Sequence, residues 1–215
     1  MLFSGGIDSS VAAAYLKSQN YEVIPLFVNH HQGPLNSERL AANTIAEILR
    51  IKKPYEVEVS LDKLKINKQW LRYGIGTPGR NLIFLSLAIM YAGIIDVNNV
   101  ALASPYGSSY PDNSWAFLKQ AEKVAQVVLD REISIFSPFK NEKWTSVDVV
   151  KQGNELGVPL EKTWSCCFDR SVHCGICAKC VNRKSRFEKA RVKDKTKYDH
   201  SGIDEKKVKS ALFYL

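Results

Sequence analysis

Met1-Leu2-Phe3-Ser4-Gly5-Gly6-Ile7-Asp8-Ser9-Ser10 opens the chain, and how it is read decides the fold: an apolar strand runs into a turn of serines and glycines and then into a helix predicted over Ser10 to Ser18. Paired glycines let the backbone take conformations barred to other residues and bring its N–H groups close to an anion. Hydroxyl donors and the positive end of the helix dipole add to the attraction, so the turn suits phosphate. Asp8 is the odd member, because a carboxylate repels phosphate unless a divalent cation or an extra donor intervenes; it reads as a candidate Mg²⁺ partner or backbone organiser. An ordinary strand-to-helix turn with Ser9 or Ser10 as N-cap is the simpler alternative, and Asp8 and the paired glycines weigh against it. The pattern is neither the phosphate loop ending in Gly-Lys-Ser/Thr nor the Gly-x-Gly-x-x-Gly dinucleotide turn.

Downstream, strand and helix alternate. Tyr21 to Val28 reads as a second strand, with Pro25 arguing against a central position throughout. Leu35 to Leu49 has helical spacing that sets Leu40, Thr44, Ile45, Ile48 and Leu49 on a common side. Tyr55 to Val59 alternates as a third strand, Asn81 to Ala92 is an apolar helix introduced by Pro78 and Gly79, and Asn99 to Ala103 is a short buried strand. Ser114 to Val128 reads as a helix, Ile133 to Phe136 as a strand and Ser146 to Leu156 as a helix ended by Gly157; after Pro159 the regular pattern stops. This order predicts an α/β fold, Rossmann-like, with a mostly parallel sheet covered by helices on both faces and ligands at the carboxyl ends of its strands. ATP phosphates are expected at Phe3, Ser4, Gly5, Gly6, Ile7, Asp8, Ser9 and Ser10, with adenine beside Phe27 and Val28 at the end of the second strand. Only Met1, Leu2 and Phe3 precede Ser4, which is short for a central strand and leaves room for residues upstream.

With 215 residues, 45% of them hydrophobic, the chain can bury one substantial core. The expected division is an α/β domain over 1–158, a small metal-binding region over 159–198 packed on it, and a tail over 199–215. Met-Leu-Phe is too short for a signal peptide and no apolar run approaches bilayer length, so a soluble, cytoplasmic protein with no membrane contact is expected. A formal charge of +8 suits nucleic acid or an anionic small ligand. The basic residues gather at Arg183, Lys184, Arg186, Lys189, Arg191, Lys193 and Lys195 with few aromatics among them, which reads as a solvated helix face; a nucleic-acid-binding module remains the rival from another class, and the opening turn counts against it.

All five cysteines cluster. Cys166, Cys174, Cys177 and Cys180 give C-x7-C-x2-C-x2-C, and in an intracellular chain such clustering favours metal over disulfides. Four sulfurs so spaced suit tetrahedral Zn²⁺ in a closed structural site; an iron–sulfur cluster also takes four thiolates but usually at other spacings. Gly175 lets the backbone curl round the ion, while Cys167 and His173 are left outside the ligand set. His30 and His31 lie side by side, so at most one enters a site on a given face.

The opening turn resembles the pyrophosphate loop of the N-type ATP pyrophosphatases, which cleave ATP between its α and β phosphates and adenylate an oxygen of the substrate. Three further stretches narrow this. Thr77-Pro-Gly-Arg-Asn-Leu-Ile-Phe-Leu-Ser86, Gly157-Val-Pro-Leu-Glu-Lys-Thr-Trp-Ser-Cys166 and His173-Cys-Gly-Ile-Cys-Ala-Lys-Cys180 resemble the QueC family of 7-cyano-7-deazaguanine synthases, over nearly the whole chain to about Tyr198. The resemblance implies an adenine nucleotide alpha-hydrolase-like fold, structural Zn²⁺ on the four cysteines, Mg²⁺, and ATP as cosubstrate. It implies a ligase that converts 7-carboxy-7-deazaguanine and ammonia to the nitrile through an adenylated carboxylate and an amide, as a homodimer. Asp8 and Arg80 would then be catalytic, and Arg80, Asn81, Tyr110 and Asp112 would bind the substrate. The chain departs from the family pattern at Asn113-Ser114, at Thr145 and Ser146, and at Asn29-His30-His31-Gln32. These changes keep a second reading open, an adenylating ligase acting on a different carboxylate.

Overall fold

The computed structural model describes residues 1–61, 79–108 and 110–203. Thr77, Pro78, Ser109 and the tail beyond Ile203 therefore lie outside the described residues. Among the described residues four short strands form two parallel pairs: β1 (Leu26–Asn29) with β2 (Tyr55–Glu58), and β3 (Asn99–Ala101) with β4 (Ser134–Phe136). The opening residues join the pairs. Leu26 N donates to Met1 O at 2.8 Å, Phe3 N to Leu26 O at 2.8 Å, and Leu2 N to Ala101 O at 3.0 Å. Met1 to Phe3 thus occupies the centre, between β1 and β3, and its backbone groups are satisfied from both sides. The spatial order is β2, β1, the opening segment, β3, β4.

Pleating sends neighbouring side chains to opposite faces, and both faces are covered. Leu2, Leu26, Val28 and Val100 pack with Leu85, Ala88 and Ala92 of α3 (Arg80–Ile94) and Leu118, Ala121 and Ala125 of α4 (Trp115–Leu129). Phe3, Phe27 and Ala101 face the other way, onto Ala13 and Leu16 of α1 (Ile7–Ser18) and Ala42, Ile45 and Ala46 of α2 (Leu35–Ile48). This is the α/β architecture read from the alternation, and the helix limits follow the sequence to about three residues, but the strand expected over Tyr21 to Val28 is formed only over Leu26–Asn29, after Pro25. The packed side of α2 differs: it is lined by small residues, Ala41, Ala42 and Ala46, while Leu40 stands 69% exposed. Small side chains are required there because α2 lies directly against the glycine turn.

Two further helices follow a single turn, α5 (Pro138–Asn141): α6 (Ser146–Glu155) and α7 (Ala178–Ala190). The last of these falls where the regular pattern was expected to stop. Its inner row is Cys180, Arg183, Phe187 and Ala190, a helical spacing in which a guanidinium occupies the second place. Phe187 and Ala190 enter a core cluster with Ile7 and Val11 of α1 and with Val149 and Val150 of α6. The basic run is therefore not uniformly a solvated face: Arg183 is 1% exposed.

Candidate functional site

The sequence around the opening turn folds as it does because only glycine fits. Gly5 has φ +72°, and a Cβ there would lie 2.4 Å from the backbone nitrogen of Ala42. Gly6 is the N-cap of α1, and no side chain caps the helix, so neither Ser9 nor Ser10 takes that part. Ser9 Oγ instead donates to Gly6 O at 3.2 Å and accepts from Ser4 N at 3.3 Å, shaping the turn from within. The first-turn N–H groups of α1 face an open cavity of about 470 Å³, the size of a small-ligand site.

Six separate segments line that cavity. Phe3, Ser4, Gly6, Ile7, Asp8 and Ser9 come from the turn, Val28 and His30 from the end of β1 and the stretch leading into α2, Arg80 and Asn81 from the start of α3, Tyr110 from the loop after β3, Trp164 and Ser165 from the approach to the cysteines, and Lys179, Asn182, Arg183 and Arg186 from α7. Gly5, Ser10, Phe27 and Asp112 do not line it. Phe27 alternates with Val28 along β1 and therefore faces α2. Asp112 accepts a hydrogen bond from Asn81 N at 3.3 Å, at the start of α3, and the Asn81 amide donates to Asn113 Oδ1 at 2.8 Å. Three positions that depart from the family pattern turn out to hold caps and turns: Asn113 receives Asn81, Ser114 Oγ accepts from Phe117 N at 3.0 Å, and Thr145 forms a capping box with Asp148.

Charge is concentrated here. Arg80 has its guanidinium carbon 5.7 Å from the Phe84 ring centroid, and the His30 ring lies 5.0 Å from the same centroid. Burial, followed by the nearby charges of Arg80 and Lys179, lowers the His30 imidazole to about 4, so the ring is neutral at physiological pH. His31 adopts φ +59° and pairs with Glu58 at 2.6 Å, which divides the two histidines between a cavity and an exposed edge. Burial raises Glu38, which accepts from Gln32 Nε2 at 2.8 Å. Asp8 meets a cation across the fold: its Oδ1 lies 2.5 Å from Arg186 Nη2.

The cysteine region is fastened to this cavity. Trp164 N donates to Gly5 O at 2.9 Å, and Asp169 accepts from Ser37 N at 2.8 Å, capping α2 from a distant part of the chain. Those bonds from Ser37, with one from Asn36, hold the Asp169 carboxyl below the usual carboxylate range. Arg183 donates to Leu160 O at 2.5 Å, to Thr163 Oγ1 at 2.9 Å, to Ser165 Oγ at 3.0 Å and to Thr196 Oγ1 at 2.8 Å. One buried guanidinium thus ties α7 to the segment that carries Trp164. Arg183→Ala should cost about 3 kcal/mol or more, because several buried acceptors lose their donor at once. Arg183→Lys should recover little of it, since an ammonium cannot reproduce the planar fork. Urea unfolding of the three proteins checks both.

Cys166, Cys174, Cys177 and Cys180 are all buried and their sulfurs lie within 4.8 Å of one another. The spacing thus brings together the four that were expected to ligate, and Cys167 and His173 stay outside the group. His173 Nε2 accepts from Ser165 N at 3.0 Å, and burial holds this ring neutral as well, near 4. Gly175 has φ +75°, the curl expected of it. Cys174 N points at Cys166 Sγ (3.5 Å) and Cys177 N at Cys174 Sγ (3.3 Å), the N–H to sulfur bonds that support thiolates. Hydrogen bonds from Cys166 and then Cys167 draw Cys177 toward thiolate, while Cys166 pushes Cys180 the other way. Thiols this close do not all ionise without a cation among them, so the quartet has the chemistry of a metal site.

A family model described as queuosine biosynthesis protein QueC matches residues 1–191. The 7-cyano-7-deazaguanine synthase of Campylobacter curvus is 32% identical over 223 residues, covering 92% of this chain and 96% of that one. 7-cyano-7-deazaguanine synthase 2 of Sulfurisphaera tokodaii is 31% identical over 221 residues; the match covers 93% of this chain and 47% of the relative, so the chain spans about half of that protein's length. Among solved structures, the U34-tRNA thiolase NcsA from Methanococcus maripaludis with its 4Fe-4S cluster has a TM-score of 0.44 at 14% identity, covering 97% of this chain and 78% of that one.

Proposed function

The chain belongs to the QueC family, and from that membership we propose that it uses ATP and ammonia to convert the carboxylate of 7-carboxy-7-deazaguanine to the nitrile of 7-cyano-7-deazaguanine. The carboxylate oxygen attacks the α-phosphorus of ATP and pyrophosphate leaves; ammonia displaces AMP to give the amide, and a second activation carries the amide oxygen away. One observation supports this above the others. A single cavity collects the uncapped start of α1, two basic segments and an aromatic side chain, which suits a polyphosphate and a flat acid held together. Arg80 is placed to pair with the acid or a phosphate, since its Nε is buried without a hydrogen-bond partner among the described residues. Tyr110 offers a stacking face, and Asn81 steadies the loop that bears it.

Mg²⁺ belongs to this reading as the counter-ion of the nucleotide. Zn²⁺ belongs to it as a structural ion on Cys166, Cys174, Cys177 and Cys180. The sulfur separations of 3.8 Å for Cys174 to Cys180 and 4.0 Å for Cys166 to Cys177 suit the edge of a ZnS₄ tetrahedron, about 3.8 Å for bonds of about 2.3 Å. A multi-iron cluster interposes iron and sulfide between the thiolates and needs them farther apart. A homodimer is also proposed: Leu82, Met90 and Ile94 stand at least half exposed in a row along α3, and light scattering at twice the chain mass checks it.

Incubation of folded, metal-loaded protein with ATP, Mg²⁺, ammonium and 7-carboxy-7-deazaguanine should yield the amide and then the nitrile by mass spectrometry, with AMP and pyrophosphate. Absence of both products would refute the reading. Pyrophosphate exchange into ATP with other carboxylates, and none with the deazapurine acid, would favour a different acceptor at the same site.

A further inference from the structure

Arg186 lies on α7, 178 residues from Asp8 in the chain, yet the two side chains meet at the mouth of the phosphate turn. Nη2 donates to Asp8 Oδ1 at 2.5 Å, Nη1 approaches Oδ2 at 3.5 Å, and Nε donates to the carbonyl of Ser146 at 3.0 Å. The Arg186 side chain is only 11% exposed, and the residue lines the cavity. Of its five N–H donors, three are turned to Asp8 and Ser146, which leaves two for a ligand. Two other donors at the same cavity, Arg80 Nε and Trp164 Nε1, are buried with no hydrogen-bond partner among the described residues. Such groups are costly unless an acceptor arrives to meet them.

Asp8 in this setting presents a problem that Arg186 resolves. A carboxylate in the first turn of α1 suits the helix dipole but repels a phosphate brought to the same N–H groups. A fixed guanidinium within hydrogen-bonding distance cancels that charge and adds donors matched to phosphate oxygens.

We propose that Arg186 is a pyrophosphate-binding residue, held in the phosphate turn by Asp8 and the Ser146 carbonyl. The inference rests on the ATP-dependent reading of this cavity and adds to it a residue from the C-terminal helix. It makes α7 a working wall of the site as well as the helix that begins at Cys177 and carries Cys180 of the quartet.

The test is titration calorimetry with inorganic pyrophosphate and with AMP, in the absence of divalent metal, on wild type, Arg186→Ala, Arg186→Lys and Asp8→Asn. Arg186→Ala should weaken pyrophosphate by about tenfold or more and leave AMP within about twofold, with Arg186→Lys in between. Asp8→Asn should move the other way, keeping or tightening pyrophosphate, because it removes a repelling charge and frees the guanidinium. An ion pair that served only to pack α7 on α1 would make the Arg186→Ala and Asp8→Asn effects alike, and that result overturns the proposal, as does unchanged pyrophosphate binding by Arg186→Ala. Where Arg186→Ala fails to fold, Arg186→Gln replaces it, with melting temperature and metal content matched to wild type. Wild type that binds neither pyrophosphate nor ATP with Mg²⁺ overturns the ATP reading itself, an outcome distinct from a wild type that binds and an Arg186 variant that binds equally.

Discussion

Cys177→Ser is expected to release the bound metal and unravel the segment from Thr163 to Tyr198, at a cost of several kcal/mol. The size of the effect follows from position. All four thiols are buried, and Cys177 is both a member of the quartet and the N-cap of α7, where the helix dipole favours a thiolate. Few large apolar side chains surround it: Trp164, Phe168, Tyr198 and Ile203 pack against the sulfurs, and only partly buried. Metal-to-sulfur bonds would there take the place that a hydrocarbon core has elsewhere. Elemental analysis should find one zinc per chain in wild type and none in the variant, and hydrogen exchange should quicken from Thr163 onward. Cys167→Ser, a thiol outside the quartet, should keep the metal. The damage should also spread to the cavity, because Trp164 N bonds Gly5 O and Asp169 caps α2.

Gly5→Ala should be the most damaging added methyl among the described glycines, destabilising the fold by about 4 kcal/mol or more and abolishing ATP binding. The added carbon would sit 2.4 Å from Ala42 N and 2.9 Å from Ala41 C, both backbone atoms of α2 that cannot turn aside. Its φ of +72° adds strain of its own. Gly6→Ala is the control. There a Cβ meets Ser4 Oγ at 3.4 Å and Trp164 O at 3.5 Å, ordinary contacts, with φ −78°. It should change the melting temperature by only a few degrees, and thermal melts with and without ATP separate the two. A Gly5→Ala protein as stable as Gly6→Ala would contradict the close packing of α2 on the turn.

Much of this was legible in the chain because it is written in short-range pattern. A strand alternates every two residues and a helix every three or four, so the helices α1 to α4 and α6 could be placed within about three residues, whereas the strand read over Tyr21 to Val28 begins only at Leu26 and the single turn α5 carries no periodic signal. Glycine and cysteine spacing carried the phosphate turn and the metal quartet for the same reason: a tight turn and two thiols on one ion are local demands. Helix α7 escaped because Arg183 stands in the row where periodicity asks for an apolar residue, and its compensation comes from Leu160, Thr163, Ser165 and Thr196, outside the helix. Asp112 meets Asn81 N, a partner 31 residues away that its own neighbourhood in the sequence does not announce.

By itself, then, the sequence determined an α/β chain with a phosphate turn after its first strand and four cysteines disposed for one metal. The tertiary structure decided which side chains share a cavity: Val28 rather than Phe27, His30 rather than His31, and Arg186 against Asp8. The division has a physical cause. Backbone periodicity and turn chemistry act over a few residues, whereas a buried charge takes whatever partner folding brings within hydrogen-bonding distance, and that partner leaves no mark in the neighbouring sequence.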